Sequence, residues 1–252
     1  MPGHFDDWRM SLAELPEYFE SVEAARSEFP AFPIRLGLEC DFLQGGEAWI
    51  GETAGMTEWD YLIGSVHYIS EGCAVDDPKH LSRWQTAADV EEMWDAYWRL
   101  YERCVRSRMF DIYAHPDLAK RFGLRPPGDL RRYFEPVIQA LVDTGGVMEV
   151  STAGLRKDVG EIYPAREMLE MAFSGGVPIV INSDAHAPEE VGADFDQALK
   201  LVRSVGYTTT VRFKGRKREV VPLPESWPVR VECSDVVKQS LTNIPRHGAP
   251  NT

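Results

Sequence analysis

Residues 177–190 read VPIVINSDAHAPEE, and this stretch joins a strand pattern to a polar motif. An apolar run ends at Asp184, and His186 follows shortly after it. Pro188 then begins a helical pattern over 188–206, in keeping with the preference for proline in the first turn of a helix. A short apolar strand followed directly by a helix is the repeating unit of parallel sheets. The Asp-x-His pair at the strand end indicates either a metal site or a polar turn.

The same alternation of strands and helices runs along most of the chain. Strands are predicted over 34–43, 61–69, 111–117, 147–153 and 177–185. Helices are predicted over 11–29, 86–109, 129–146, 165–176 and 188–206, and a hairpin that turns at Gly215 is predicted over 208–223. This order predicts an α/β fold with a parallel sheet, and the polar residues at the strand ends favour a barrel. With 252 residues and no obvious linker, the chain fits a single domain over 1–252.

The composition limits the classes of partner. A net charge of -13 argues against nucleic acid and against anionic membranes, both of which need clustered basic residues. No apolar stretch reaches the ~18 residues of a membrane span, and the N-terminus has no signal-peptide pattern. The four cysteines form no Cys-x-x-Cys pair, which indicates reduced thiols rather than a disulfide framework. We therefore expect a cytoplasmic protein.

Ionisable and polar side chains recur at the carboxyl ends of the predicted strands. They are Glu39, His67, His115, Asp117, Glu149, Ser151, Thr152, Asp184 and His186. In a barrel these ends meet on one face, which is where active sites lie. Imidazole and carboxylate together are the ligands of Zn, Mn or Fe, and a bound divalent ion lowers the pKa of water towards ~7. The pattern predicts a metal site.

Each of these residues also has an ordinary explanation. His67 alone fits a buried core histidine, Glu39 a salt-bridge partner, and Asp184 the cap of the following helix. Taken together the metal interpretation is favoured, because ionisable groups rarely recur at successive strand ends without a shared task. His80 and His247 lie in polar segments and are assigned to the solvated surface, and the role of His4 stays open.

Arg156 follows the strand 147–153 and is placed to reach the same face. An arginine there is able to bind a phosphate group with two parallel hydrogen bonds. The alternative is an ordinary surface charge beside Lys157. We favour the phosphate interpretation, because a metal site suggests an anionic substrate.

Six stretches together resemble the PHP (polymerase and histidinol phosphatase) superfamily, and its histidinol-phosphatase branch most of all. They are LGLECDF with Glu39, IGSVHYI with His67, YAHPDLAKRFG with His115, EVSTAGLRK with Arg156, INSDAHAPEEVG with Asp184 and His186, and the opening FDDWRMSLAELPEYFESVEAAR. The resemblance runs from the first residues to about residue 206, and 207–252 would form a C-terminal hairpin and tail. Motifs in this order make the resemblance specific.

The resemblance implies a distorted (β/α)7 barrel of TIM type that holds up to three divalent ions, Zn, Mn or Fe, at its strand ends. It implies that Glu39 bridges two ions and that His67 and His115 share one of them. Asp184 and His186 would complete the ligand set, and Arg156 would contact phosphate. The implied substrate is a small phosphorylated molecule, and a homo-oligomer is left open.

One departure from the family pattern concerns the N-terminus. The family begins with a strand that bears His-x-His, and this chain has no such motif, so the first one or two strands are expected to be missing. Fewer ions than three would then be held. A mis-assigned start is the favoured explanation, and a segment supplied by another chain or an inactive member are the alternatives.

The implied activity is hydrolysis of L-histidinol phosphate to L-histidinol and phosphate, a step of histidine biosynthesis. In this hypothesis Arg156 orients the phosphate, and His186 either holds an ion or protonates the leaving alkoxide. The alternatives are another small phosphate substrate, a non-catalytic member that binds metal or a partner, and a metal-dependent amidohydrolase-like barrel.

Overall fold

The computed structural model describes residues 10–226 of the chain. The helices of this part are α1 (Leu15–Glu28), α2 (Glu47–Ala54), α3 (Ala87–Arg106), α4 (Arg131–Thr144), α5 (Arg166–Ser174) and α6 (Phe195–Val205). Its strands are β1 (Gly37–Asp41), β2 (Tyr61–Ser65), β3 (Tyr68–Ser70), β4 (Cys73–Ala74), β5 (Ile112–Tyr113), β6 (Val147–Ser151), β7 (Ile179–Asn182), β8 (Thr209–Lys214) and β9 (Lys217–Pro222). His4, Cys233, His247 and most of the predicted tail lie outside the described residues.

Five strands form a parallel sheet in the order β1-β2-β5-β6-β7. The predicted α/β class with parallel strands is therefore confirmed. Helices connect the successive strands, so every strand runs in the same direction and all carboxyl ends meet at one edge. Within residues 10–226, β1 and β7 are the outer strands of this sheet.

Several predicted elements are shorter in the structure, and backbone geometry explains why. The strand predicted over 111–117 pairs only at Ile112–Tyr113, because His115 turns out of the extended conformation with φ 21°. The helix predicted over 188–206 begins only at Phe195, since Asp194 before it has φ 60°. Positive φ angles are rare outside glycine and interrupt regular elements.

The helix termini follow local sequence signals. α1 begins at Leu15 rather than at Ser11, where the sequence predicted it, and proline lies in its first turn. The Glu14 carboxylate accepts a hydrogen bond from Ser11 N at 2.6 Å, which is one half of a capping box. α4 ends at Gly145 with φ 69°, a left-handed conformation that glycine adopts readily at the end of a helix.

The aromatic residues of α3 face the core. Trp94, Tyr97, Trp98 and Tyr101 are all buried, and the Trp98 ring lies 5.2 Å from that of Phe134 on α4. Burial of such large rings is the main stabilising contribution of this helix.

His80 is buried, so its assignment to the solvated surface was wrong. The polar segment that contains His80 folds into the β3–β4 hairpin and a short 3-10 helix, Pro78–Arg83. The His80 Nδ1 atom lies 3.2 Å from the backbone nitrogen and 3.0 Å from the oxygen of Ala74. The imidazole therefore satisfies the backbone of β4, a local use of histidine that the polar character of the segment did not reveal.

The described cysteines and helices show no disulfide and no membrane span. Cys40, Cys73 and Cys104 are buried free thiols, in agreement with the absence of a disulfide pattern in the sequence. No helix in the range 10–226 combines the length and the apolar character needed to cross a bilayer.

The β8–β9 hairpin covers the amino end of the sheet. Val211 and Phe213 of β8 pack with Ile112 and Val147 in a small cluster separate from the main core. The hairpin turn is held by Asp60, the residue before β2. Because the hairpin covers the amino ends of the strands, a site is expected at the opposite end of the sheet, at the carboxyl ends of the strands.

Asp60 joins three parts of the chain. Its carboxylate accepts hydrogen bonds from Gly215 N at 2.9 Å, Leu36 N at 2.9 Å and Arg26 Nη2 at 2.8 Å. Burial opposes ionisation, but the Gly215 and Leu36 hydrogen bonds and the charge of Arg26 lower the pKa of Asp60 below its ordinary 3.8. This stabilisation is therefore fully present above that value and is lost as the pH falls through the lowered folded-state pKa.

We expect Asp60→Ala to reduce the free energy of unfolding by about 2–4 kcal/mol, because it leaves buried donors without an acceptor. Urea unfolding at pH 7 measures the change. Glu219→Ala is the control, since Glu219 forms an exposed pair with Arg212 on the same hairpin and should change stability by less than about 0.5 kcal/mol. Equal stability of the two variants would contradict the proposed role of Asp60.

Candidate metal centre

Three neighbouring strands, β1, β2 and β5, bring predicted ligands together at the carboxyl ends of the strands. Glu39 and Asp41 are two residues apart on β1, so both side chains point to the same face. His67 follows the end of β2 by two residues, and His115 follows the end of β5 by two. Since β1, β2 and β5 are neighbours in the sheet, the four side chains converge.

Glu39, His67 and His115 form a group whose ligand atoms all lie within 4.8 Å of one another. The Glu39 Oε1 atom is 3.4 Å from His115 Nε2 and 3.8 Å from His67 Nε2. We call this group the triad. Two imidazoles and one carboxylate are a ligand set of catalytic zinc sites, which leave a further position open. The donor atoms of the triad therefore fit a divalent cation.

Asp41 orients one of the imidazoles. Its Oδ1 atom lies 2.6 Å from His67 Nδ1, so that Nε2 of the same ring is directed towards Glu39. Burial lowers the pKa of His67, but the charge and hydrogen bond of Asp41 outweigh this and raise it to about 10. A carboxylate behind a metal-binding histidine fixes the tautomer and the ring orientation. Asp41 was not predicted from the sequence, although its spacing of two residues from Glu39 indicates that both side chains lie on the same face of a strand.

The carboxylate of the triad is ionised. Desolvation by the surrounding protein raises the pKa of Glu39, but the hydrogen bond and charge of His115 and the charge of His67 lower it to about 2. The Glu39 side chain is nevertheless 36% exposed, so the triad opens towards solvent. An ionised and accessible carboxylate is ready to bind a cation at neutral pH.

Glu149 holds the turn that presents His115. Its carboxylate accepts hydrogen bonds from His115 N and from Asn182 Nδ2, each at 2.6 Å. Burial raises the pKa of Glu149 to about 7, with the charge of His115 opposing and that of Asp184 adding to the rise. From the sequence, Glu149 was predicted to lie at a strand end, but no role was predicted for it. The single carboxylate in the otherwise apolar run VMEV was the available signal.

Asp184 and His186 lie near the triad but are not part of the group described above. Asp184 follows β7 and has φ 47°. Burial lowers the pKa of His115, but the hydrogen bond and charge of Glu39 raise it above its ordinary value, and the charge of Asp184 adds to this rise. The His186 side chain is 72% exposed, and its Nδ1 atom lies 3.1 Å from Asp184 O. The ligand roles of both residues stay predictions.

Arg156 lies beside the same turn, in a short 3-10 helix, Thr152–Arg156, that follows β6. Its Nη2 atom donates a hydrogen bond to Ser183 O at 2.6 Å, and Nη1 donates to Thr152 O at 3.4 Å. Glu190 and Asp194 lie 3.5 Å and 3.8 Å from the guanidinium. The structure thus places Arg156 at the rim of the site, in contact with protein acceptors, and phosphate binding by Arg156 stays a prediction.

The chain is 39% identical over 221 residues to a probable histidinol-phosphatase of Deinococcus radiodurans, covering 87% of this chain and 83% of that protein. It is 26% identical over 219 residues to the histidinol-phosphatase of Bacillus subtilis, covering 79% of this chain and 81% of that protein. A scan against models of protein families gives no match.

Among solved structures, the fold is similar to the histidinol phosphate phosphatase of Lactococcus lactis, which was crystallised with zinc, L-histidinol and phosphate. The TM-score is 0.71 at 20% identity, with 85% of this chain and 82% of that one covered. This likeness shows a common fold. The 39% identity across most of both proteins goes further, and the chain belongs to the histidinol-phosphatase family, the branch of the PHP superfamily that its motifs resemble.

Proposed function

We propose that the chain is a metal-dependent phosphomonoesterase that hydrolyses L-histidinol phosphate to L-histidinol and phosphate. The observation that supports this most directly is the convergence of Glu39, His67 and His115 at the carboxyl edge of the parallel sheet. The names of the relatives support the choice of substrate, as does the L-histidinol and phosphate bound by the Lactococcus lactis enzyme of the same fold.

In this proposal Glu39, His67 and His115 hold a divalent ion, Zn, Mn or Fe. When bound, the ion supplies a Lewis acid for the phosphoryl oxygens and acidifies water at neutral pH. Asp41 keeps the His67 ring in its ligating orientation, and Glu149 fixes the backbone turn at His115. These carboxylates therefore maintain the geometry of the ligands.

Asp184 and His186 complete the proposed ligand set. The exposed imidazole of His186 is free to hold a further ion or to give a proton to the alkoxide oxygen of the leaving L-histidinol. Arg156 is retained as the phosphate-orienting residue that the resemblance implies, although in the structure its guanidinium contacts backbone oxygens of Thr152 and Ser183.

We also propose that the five-stranded sheet is part of the distorted seven-stranded barrel of the family. The shared fold with the Lactococcus lactis enzyme supports this. A small phosphorylated substrate fits the open carboxyl edge of such a sheet. The cytoplasmic location stays a prediction.

The first test is release of phosphate from L-histidinol phosphate by the chain supplied with Zn²⁺ or Mn²⁺. We expect His67→Ala to reduce kcat/KM by more than about 100-fold, the upper end of what changes around metal ligands cost. Thermal unfolding of the metal-free proteins checks that the variant is folded. Equal release by both proteins would show that the activity does not use the triad. A higher kcat/KM for another alkyl phosphate, such as glycerol 3-phosphate, would instead contradict the choice of substrate.

Removal of the metal is the second test. We expect prolonged dialysis against dipicolinate to abolish hydrolysis, and stoichiometric Zn²⁺ or Mn²⁺ to restore it, because in this proposal the ion supplies both the Lewis acid for the phosphoryl oxygens and the acidified water. Phosphate release and metal content are measured in parallel on the same samples. Full activity in protein freed of metal would refute the metal dependence.

The contribution of Asp41 is separable from that of the ligands. We expect Asp41→Ala to weaken Zn²⁺ binding by about 10- to 100-fold, since the His67 ring loses the partner that orients it. Competition with a chromophoric chelator measures the dissociation constant. Glu47→Ala, which removes an exposed carboxylate paired with Arg103, serves as the charge-matched control. Unchanged affinity in Asp41→Ala would show that the contact is incidental.

A further inference from the structure

The two imidazoles of the triad are oriented in different ways. A metal-binding histidine usually has its second ring nitrogen hydrogen-bonded, as His67 has through the contact of its Nδ1 atom with Asp41 at 2.6 Å. The Nδ1 atom of His115 is instead buried and makes no hydrogen bond within residues 10–226. Glu149 accepts a hydrogen bond from the backbone nitrogen of His115, and a backbone contact does not set the rotation of the ring. The orientation of the His115 ring therefore depends on packing.

The Tyr163 ring supplies packing for His115. The two ring centroids are 6.4 Å apart and the ring planes meet at 71°, which is the edge-to-face arrangement that aromatic rings favour. Both residues are buried. Tyr163 is joined to the end of β6 by two backbone hydrogen bonds with Ser151, at 2.7 Å and 3.0 Å. Among the described residues the other ring beside His115 is that of His67, at 4.9 Å, which is itself part of the triad.

A buried ion pair holds the segment that carries Tyr163. Lys120 Nζ lies 3.0 Å from Asp117 Oδ2, and both side chains are 1% exposed. The Lys120 ammonium also donates a hydrogen bond to Ile162 O at 2.8 Å. The Asp117 carboxylate accepts one from Ala165 N at 2.7 Å. The ion pair therefore binds the backbone on both sides of Tyr163.

The Tyr163 ring has little room to move. Lys120 Nζ lies 5.3 Å from the centroid of this ring, within the range of a cation–π contact. A side chain added at Gly154 would collide with Glu161 O and with the Tyr163 ring, so the backbone at Gly154 lies directly against this segment. The ring is thus confined by the Lys120 ammonium, the Gly154 backbone and the His115 ring.

The Lys120–Asp117 pair also links two parts of the site. Asp117 follows His115 by two residues and belongs to the same turn, whereas the partners of the pair lie in the segment of Tyr163. Removing two charges from water costs free energy, so a buried ion pair is weak evidence for stability and is better explained where it fixes one arrangement of the chain. Here the arrangement that it fixes is the contact of Tyr163 with His115.

We propose that Tyr163, held by the Lys120–Asp117 ion pair, is a positioning residue for the His115 imidazole, in the role that Asp41 has for His67. The ring of Tyr163 carries this role, since its hydroxyl is buried and makes no hydrogen bond among the described residues. The inference rests on the proposed function for the metal-binding role of His115. Its main consequence concerns the affinity for the ion and does not require turnover.

The test compares the dissociation constant of Zn²⁺ in Tyr163→Leu and Tyr163→Phe, by competition with a chromophoric chelator. We expect Tyr163→Leu to weaken binding by about 10- to 100-fold, as for the loss of other residues that orient metal ligands. Tyr163→Phe should stay within about threefold of the wild type, because it keeps the ring that packs on His115. The visible spectrum of the Co²⁺-loaded protein should change in Tyr163→Leu and not in Tyr163→Phe, since it reports the ligand geometry.

Tyr207→Leu is the matched control for loss of a buried ring. Tyr207 makes an edge-to-face contact with Phe173 at 5.1 Å, and its hydroxyl donates to Val177 O, just before β7 and at the amino end of the sheet. We expect Tyr207→Leu to lower the thermal stability and to leave the Zn²⁺ affinity within about twofold, because distant sites act independently. Unchanged affinity in folded Tyr163→Leu would show that the ring supports only the fold, and would overturn the inference.

A second variant tests the ion pair. Lys120→Met alone leaves a buried carboxylate without its cation, so it is combined with Asp117→Asn, whose amide oxygen is still able to accept from Ala165 N. We expect this double variant to weaken Zn²⁺ binding by about tenfold. Arg125→Met is the control, because Arg125 pairs with Glu161 at 2.8 Å on the same segment, and it should change the affinity by less than about twofold. Equal affinities of the double variant and this control would refute the role of the pair.

Kinetics with L-histidinol phosphate separate positioning from contact with the substrate. At saturating Zn²⁺ we expect Tyr163→Leu to lower kcat by about tenfold or more and to change KM by less than about threefold, because the ring contacts a ligand of the ion. A raised KM with unchanged Zn²⁺ affinity would overturn the inference and assign Tyr163 to the substrate. An equal loss of affinity in Tyr163→Phe would overturn it in favour of the hydroxyl.

The two proposals fail in different ways. If Zn²⁺ binding follows the expected pattern but the wild-type chain does not hydrolyse L-histidinol phosphate, the positioning role of Tyr163 stands and the proposed function fails. If the wild type hydrolyses the substrate while Tyr163→Leu keeps the wild-type Zn²⁺ affinity, the function stands and this inference fails. Thermal unfolding of each metal-free variant checks that it is folded.

Discussion

The parallel register of β1, β2 and β5 is the constraint on which the site depends. Glu39 pairs with Ile63, Asp41 with Ser65, and Gly64 with Tyr113, so the three strands end at nearly the same level. Residues that follow β2 and β5 by two positions then reach the carboxylate on β1. Because side chains alternate along a strand, a slip of one residue in β1 would turn Glu39 and Asp41 away from the imidazoles. The core and the Asp60 contacts at the opposite end of the sheet are what hold this register.

The site collects negative charge in a small space, and that has an energetic consequence. Glu39, Asp41, Glu149 and Asp184 all lie around two imidazoles. Glu39 gains enough from the imidazoles to offset its desolvation, whereas burial raises the pKa of Glu149, which contacts backbone and amide donors, to about 7. Without a further cation, part of this charge is held only by protonated histidine. A divalent ion would replace those protons, so metal binding, proton release and stability are linked in this fold.

The sequence predicted the parts of the site that depend on local order. Strand–helix alternation predicted the class of fold, and the motif residues Glu39, His67 and His115, placed at strand ends from the sequence, lie together in the structure, while their role as metal ligands stays a prediction. What it did not predict depends on tertiary packing. Asp41 is a single acidic residue until β2 brings His67 to it, and His80 looked solvated because its partner, the backbone of β4, is not a sequence motif. The lengths of strands were overestimated wherever a positive φ, as at His115, ended the pairing early.

A comparison of Arg121 with Arg156 shows the same limit in chemical terms. Both are single arginines that follow a strand of the sheet, and in sequence the one in STAGLRK was the more conspicuous. Arg156 donates to two backbone oxygens, and the Nε atom of each arginine is buried without an acceptor among the described residues. A guanidinium bound to carbonyl oxygens supports the turn that it contacts, and its unpaired Nε still leaves one donor for ordered water or a ligand. This account of the donors requires coordinates, because the motif in which an arginine stands does not show which acceptors its guanidinium reaches.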